Sequence, residues 1–309
     1  MSRLRQAAAD YIAIRRALGF KLERHPRLLA QFAAYLEEAG VATVTTELAL
    51  AWATSPAGTS PDWHRARLAV ARGFAAYLTA LDPQTQVPPA RLLPPGTQRA
   101  TPYQLSDDAL ASLMTAAGTL TPPLRAATYT TLLGLLATAG LRVGEAIRLG
   151  RGDVDLAAGL LLVRNSKWDK SRELPLHDST TSALAAYAST RDRLCPAPRH
   201  PGVFFVSTRG TRLVYSDIRR TLLSLARRAG VPAGPPGSRL RPHTLRHSFA
   251  VATLLDWYQA GADVDARLPA LSAYMGHVSP SSTYWYLSAA PELLAVVAGR
   301  LGQALGELP

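Results

Sequence analysis

Residues 241–250 read Arg-Pro-His-Thr-Leu-Arg-His-Ser-Phe-Ala, and residues 275–286 read Met-Gly-His-Val-Ser-Pro-Ser-Ser-Thr-Tyr-Trp-Tyr. The two stretches flank an apolar, helix-like span and together decide how the chain is read. Pro242 suits the first position of a helix. His243 and Arg246 then stand at i and i+3, on one helix face. Both can donate hydrogen bonds to a phosphate oxygen, the arginine as a two-pronged fork. The helix N-terminus adds a dipole that favours an anion. His247, next to Arg246, is expected to face elsewhere and to be structural. His277 follows Gly276, and Tyr286 comes nine residues after it.

These residue types suit attack on a phosphodiester, which needs a nucleophile, cations around the non-bridging oxygens and an acid for the leaving oxygen. A tyrosine with a pKa of about 10 is a poor nucleophile on its own. Surrounding arginine and histidine favour its phenolate form. Tyr274 and Tyr284 compete with Tyr286, and composition does not choose among the three.

Further upstream, Gly140-Leu-Arg-Val-Gly144 interrupts a helical pattern, so Arg142 can point into a cleft. Residues 159–164 and 172–176 read as two strands around a polar turn, which puts Lys167 at the turn. Each residue also has a plain structural reading: Arg142 pairing with Glu145, Lys167 as a polar turn residue, Tyr286 as packing. A zinc site fails on spacing, because there is no His-Glu-x-x-His pair. The single cysteine, Cys195, rules out an internal disulfide and multi-cysteine metal sites.

The 309 residues suffice for two domains. Residues 1–81 read as four helices, the last opened by Ser60-Pro61-Asp62. Arg65, Arg67 and Arg72 on that helix are candidate DNA contacts, with a solvated face as the plain alternative. Proline-rich residues 82–102 read as a linker. Residues 103–309 read as helices at 105–117, 123–139, 178–190, 215–229, 243–257, 267–275 and 291–306. To these they add a small sheet, with Val203-Phe-Phe-Val206 as a possible extra strand. The fold class is mainly α with a small β-sheet: a helical first domain and an α+β second domain.

Net charge is +12, with 12 basic and 7 acidic residues in 1–102 and 22 and 15 in 103–309. The excess lies in both halves, which suits a polyanion such as double-stranded DNA. Neither a signal-peptide region nor an apolar span of about 18 residues is present, so a soluble, cytoplasmic, nucleoid-associated protein without a membrane partner is expected.

With those residues in view, the chain resembles the tyrosine recombinases of the integrase and Xer type. Ala139-Gly-Leu-Arg-Val-Gly-Glu145 is similar to their first arginine box. His243-Thr-Leu-Arg246 resembles their His-x-x-Arg box. The stretch from Gly276-His277 to Tyr286 resembles their last box, with its His-to-Tyr interval of nine. Residues 166–172, Ser-Lys-Trp-Asp-Lys-Ser-Arg, are similar to the β-turn lysine box, with Ser where Gly is usual. Lys167 takes the place of the first lysine, and Lys170 remains open as its rival.

The resemblance implies that Tyr286 attacks DNA to form a 3′-phosphotyrosyl link. Arg142, His243, Arg246 and His277 would hold the phosphate, and Lys167 would protonate the leaving 5′ oxygen. Lys170 and Arg172 are further candidate DNA contacts. Neither metal nor ATP is implied. Strand exchange through a Holliday junction within a homo-tetramer is, with the C-terminal helix a candidate for subunit docking. A non-catalytic DNA-binding accessory protein and a type IB topoisomerase are the alternative functions.

Overall fold

The computed structural model describes residues 2–95, 103–164, 171–234, 239–277, 279, 281–289 and 293. The chain divides into two compact units, Met1–Arg99 and Ala100–Pro309.

The first unit holds four helices: α1 (Arg3–Ala17), α2 (His25–Glu38), α3 (Thr46–Thr54) and α4 (Pro61–Leu78). Ser2, Thr45 and Ser60 cap α1, α3 and α4 by accepting a hydrogen bond from a backbone N–H of the first turn. Leu29, Phe32, Leu36, Trp52 and Phe74 form a closed core, with Phe32 and Trp52 rings 4.7 Å apart. Leu18, just past the end of α1 at Ala17, is exposed. Residues 82–95 lie along this unit. Gln86 N donates to Val44 O, and the Gln86 side chain accepts from Thr46 N.

In the second unit, α5 (Asp107–Gly118), α6 (Pro123–Ala139), α8 (Asp178–Leu194) and α9 (Tyr215–Arg228) surround a core of Leu132, Leu136, Phe205, Leu222 and Leu225. The short α7 spans Val143–Arg148. The sheet has three antiparallel strands in the order β1 (Val154–Asp155), β2 (Leu160–Val163), β3 (Arg172–Pro175). Leu161 pairs with Leu174, and both are fully buried. Residues 203–206 do not form the extra strand. They are buried and make only the bridges Gly150 to Val203 and Val206 to Arg212, because Phe204 and Phe205 are both anchored on Tyr187.

A third group of helices carries His243, Arg246 and Tyr286: α10 (Pro242–Gln259), α11 (Val264–Met275) and α12 (Ser281–Ala289). They pack through Val251, Leu254, Leu268, Leu271, Met275 and Tyr286. Tyr286 therefore lies on a helix that the sequence did not predict. The turn with Lys167 and Lys170, and the helix expected over 291–306, lie outside the described residues, Leu293 excepted.

Candidate functional site

Two left-handed glycines end the helices that shape the centre. Gly140 (φ +56°) closes α6 and Gly276 (φ +67°) closes α11. A Cβ on Gly140 would run into the Phe249 ring, and one on Gly276 would lie 2.6 Å from Arg172 Nη1. Only glycine meets both demands, the positive φ and the close approach.

The last carbonyls of a helix lack partners within it and carry the negative end of its dipole. At the end of α11, three guanidiniums from three separate segments take them up. Arg172 Nε donates to Tyr274 O at 2.8 Å, Arg246 Nη2 to Met275 O at 2.7 Å, and Arg142 Nη2 to Gly276 O at 2.6 Å. Arg246 Nη1 also donates to Gly140 O at 2.6 Å, joining the two glycine-capped ends.

Glu145 binds the arginines from the other side. Its carboxylate accepts from Arg142 Nη1 at 2.8 Å and from both Nη atoms of Arg172 at 3.2 and 3.0 Å. It also accepts from Arg142 N at 2.9 Å, which secures the start of α7. Burial alone would push this carboxyl up; hydrogen bonds and charge from Arg172 and Arg142 outweigh that and hold it at about 2. Arg246 is lowered to about 10, by burial first and by Arg142 second, and stays charged at neutral pH.

Tyr286 is buried beside this cluster. Its hydroxyl lies 2.9 Å from His247 Nδ1. His277 lies parallel to the phenol ring at 6.3 Å, and its Nδ1 is 2.7 Å from Thr283 Oγ1. His243 meets His247 edge-on at 4.4 Å. The rival tyrosines have other surroundings. Tyr274 stacks on Phe249 and donates to Pro175 O, and burial raises its pKa. Tyr284 is 47% exposed.

Arg142, His243, Arg246, His277 and Tyr286 are thus brought together. Three expectations are corrected. His247 does not face elsewhere: it stands at i+4 from His243, on the same helix side, and that spacing was the signal for it. Arg172, expected as a DNA contact, has its guanidinium forked onto buried Glu145 and donating to Tyr274 O. Arg67 is buried as well, stacked 3.9 Å over Trp52 and donating to Trp52 O at 2.7 Å. At 100° per residue, Arg67 sits about 200° from Arg65, on the core side of α4, while Arg72 returns to within about 20° of Arg65. Arg65 and Arg72 donate to Pro94 O and Pro89 O, and Arg65 also pairs with Asp62.

A second basic feature was not legible in the motifs. A groove of about 750 Å³ runs between α6, α9 and residues 206–214, lined by Arg125, Arg209, Arg212, Arg220 and Arg227 with several hydroxyls. Among the described residues, no helix is long and apolar enough to cross a membrane.

Residues 104–292 match the phage integrase family. A putative integrase/recombinase of Sinorhizobium fredii is 43% identical over 308 residues, covering 97% of this chain and 98% of the relative. Tyrosine recombinase XerD of Mycobacterium tuberculosis is 30% identical over 300 residues, covering 91% of each. Among solved structures, the Tn1549 transposon integrase in complex with transposon right end DNA is similar in fold. Its TM-score is 0.66 at 16% identity, covering 97% of this chain and 99% of that one.

Proposed function

The chain belongs to the phage integrase family and is a tyrosine-type site-specific DNA recombinase, and we propose that Tyr286 is its nucleophile. In this reading the Tyr286 oxygen attacks a scissile phosphate, forms a 3′-phosphotyrosyl bond and releases a 5′-hydroxyl. The ester keeps the energy of the broken bond, so the same site can reseal a strand. The observation that carries the assignment is the position of its hydroxyl, 2.9 Å from His247, with Arg246 close enough to feel the phenol's charge. Tyr274 feels the charge of Arg172, but its hydroxyl donates to Pro175 O rather than meeting a histidine, and Tyr284 is exposed.

Arg142 and Arg246 supply the positive charge that holds the phosphate, and His243 and His277 complete the cradle. Their guanidiniums are already fixed by backbone carbonyls and Glu145, so they need little reordering as charge develops on the phosphorane. Lys167 is the acid for the leaving 5′ oxygen, with Lys170 as its rival.

Double-stranded DNA is the substrate, and the arginine-lined groove of the second unit offers its backbone a further set of cations. Solved recombinases of the same fold in complex with DNA support this reading. The helical stretch 1–81 of the first unit adds a second DNA-binding surface, and residues 82–102 lead from it to a catalytic domain at 103–309. Assembly as a homo-tetramer through the C-terminal helix, at the nucleoid in the cytoplasm, completes the proposal.

The test is a nicked suicide substrate that traps the covalent adduct. Tyr286→Phe is expected to abolish adducts while DNA binding survives. Adducts persisting in that variant would overturn the assignment. Supercoil relaxation without recombinant products would favour the topoisomerase alternative instead.

A further inference from the structure

We infer that His247 is the base that takes the phenolic proton from Tyr286 during DNA cleavage. The inference rests on Tyr286 being the nucleophile, and it adds a residue that the phosphate-holding set does not contain.

A free phenol is about one part in a thousand ionised at neutral pH, so attack requires an acceptor for its proton. A base must lie within hydrogen-bond reach of the proton it removes. His247 Nδ1 lies 2.9 Å from the Tyr286 hydroxyl. Both side chains are buried, with His247 7% and Tyr286 1% exposed. Bulk water therefore has poor access to the phenol.

The imidazole is held in place by rings on two sides. His243 meets it edge-on at 4.4 Å and Trp285 lies at 5.8 Å. The other groups nearby suit the task less well. His277 directs Nδ1 to Thr283 Oγ1. Glu145 is committed to Arg142 and Arg172. Arg246 remains protonated and favours the phenolate electrostatically rather than receiving its proton.

The step uses the tautomer with hydrogen on Nε2, so that Nδ1 accepts. As Tyr286 attacks, its O–H bond breaks and the proton passes to Nδ1, giving an imidazolium. The phenolic oxygen bonds to phosphorus and the P–O5′ bond breaks. The leaving oxygen takes a proton from the general acid, assigned above to Lys167. In resealing, the 5′-hydroxyl attacks phosphorus and gives its proton to the neutral amine of Lys167, the P–O bond to Tyr286 breaks, and the His247 imidazolium protonates the departing phenolate.

The test compares His247→Asn and His247→Gln with the parent chain in single-turnover adduct formation. Asn and Gln keep hydrogen-bonding capacity and polar volume but have no basic nitrogen. Two substrates are used, an ordinary scissile phosphate and one with sulfur in the 5′-bridging position, whose leaving group needs no proton. Loss of a general base is expected to slow cleavage by about 10²-fold or more. DNA affinity should be unchanged, which also reports that the variants fold. The defect should be equally large on the sulfur substrate, whereas the defect of Lys167→Ala should largely disappear there. The inference is overturned if either His247 variant cleaves close to the parent rate, or if sulfur rescues them, which would place His247 on the leaving-group side. Tyr286→Phe, run in parallel, separates the two readings. Adducts in that variant sink the nucleophile assignment, while their loss alongside fast His247 variants sinks only the base.

Discussion

Two sets of three arginines invite comparison. In the first unit, Arg65, Arg67 and Arg72 share one helix and looked from the sequence like a phosphate-facing row. In the second, Arg142, Arg172 and Arg246 come from three segments 30 and 74 residues apart. The row is spent locally, on the Trp52 ring and on carbonyls of residues 89 and 94. The scattered set converges on one helix end, one carboxylate and the surroundings of one tyrosine. Proximity in sequence said little about shared purpose. The shared carbonyl donors and Glu145 are what turn three arginines into one centre.

The largest effect that would sharpen this contrast is at Glu145. Its carboxyl stands at about 2 when folded against 4.5 unperturbed. Because the folded value is the lower one, the stabilisation is fully present above about pH 5 and is lost as pH falls through 4.5 toward 2. It amounts to on the order of 3 kcal/mol. Glu145→Gln should cost about that much at neutral pH and flatten the pH dependence below 5, read as the urea midpoint of the second unit. An unchanged midpoint would mean the arginines do not need their shared carboxylate.

Gly276→Ala comes next. The left-handed backbone costs about 1–2 kcal/mol for a non-glycine residue, and the new methyl would press on Arg172. Adduct formation should fall further than thermal stability, since the cap positions three guanidiniums at once. Proportional losses would make Gly276 merely structural.

Arg67→Ala should destabilise the first unit by about 2 kcal/mol, through the lost ring stack and a charged hydrogen bond. DNA affinity should barely change. Weaker DNA binding without loss of stability would restore Arg67 to the DNA-facing set. The smallest effect is expected for Arg65→Ala with Arg72→Ala, within about 0.5 kcal/mol in a thermal melt. A larger loss would make their contacts with residues 89 and 94 a real tether.

Much of the fold was legible because its punctuation is strong. Ser60-Pro61 starts α4, Pro123 starts α6 with its end at Ala139, and the apolar run in 159–164, followed after a polar turn by 172–176, marks β2 and β3. What escaped was decided by tertiary contacts. Val203-Phe-Phe-Val206 has strand composition, yet its phenyl rings are claimed by Tyr187 before a ladder forms. Residues 281–289 carry serines and aromatics without a clear helical stripe, and they are helical because Thr283 and Tyr286 are buried against neighbours. In the site, motif spacing identified Arg142, His243, Arg246, His277 and Tyr286 as residues to be brought together. It did not indicate how Glu145 ties Arg142 to Arg172, because a buried carboxylate and a surface partner look alike in one dimension.

The end of α11 has a consequence for how this chain can vary. Its three outgoing carbonyls belong to the backbone, so the arginines are indifferent to which side chains stand at 274 and 275. They are not indifferent to the residue count. One residue inserted into the helix would turn its end by about 100° and advance it by about 1.5 Å, carrying every carbonyl away from its guanidinium. The helix acts as a ruler: substitutions along it are tolerated as packing allows, but its length is part of what holds the three guanidiniums together.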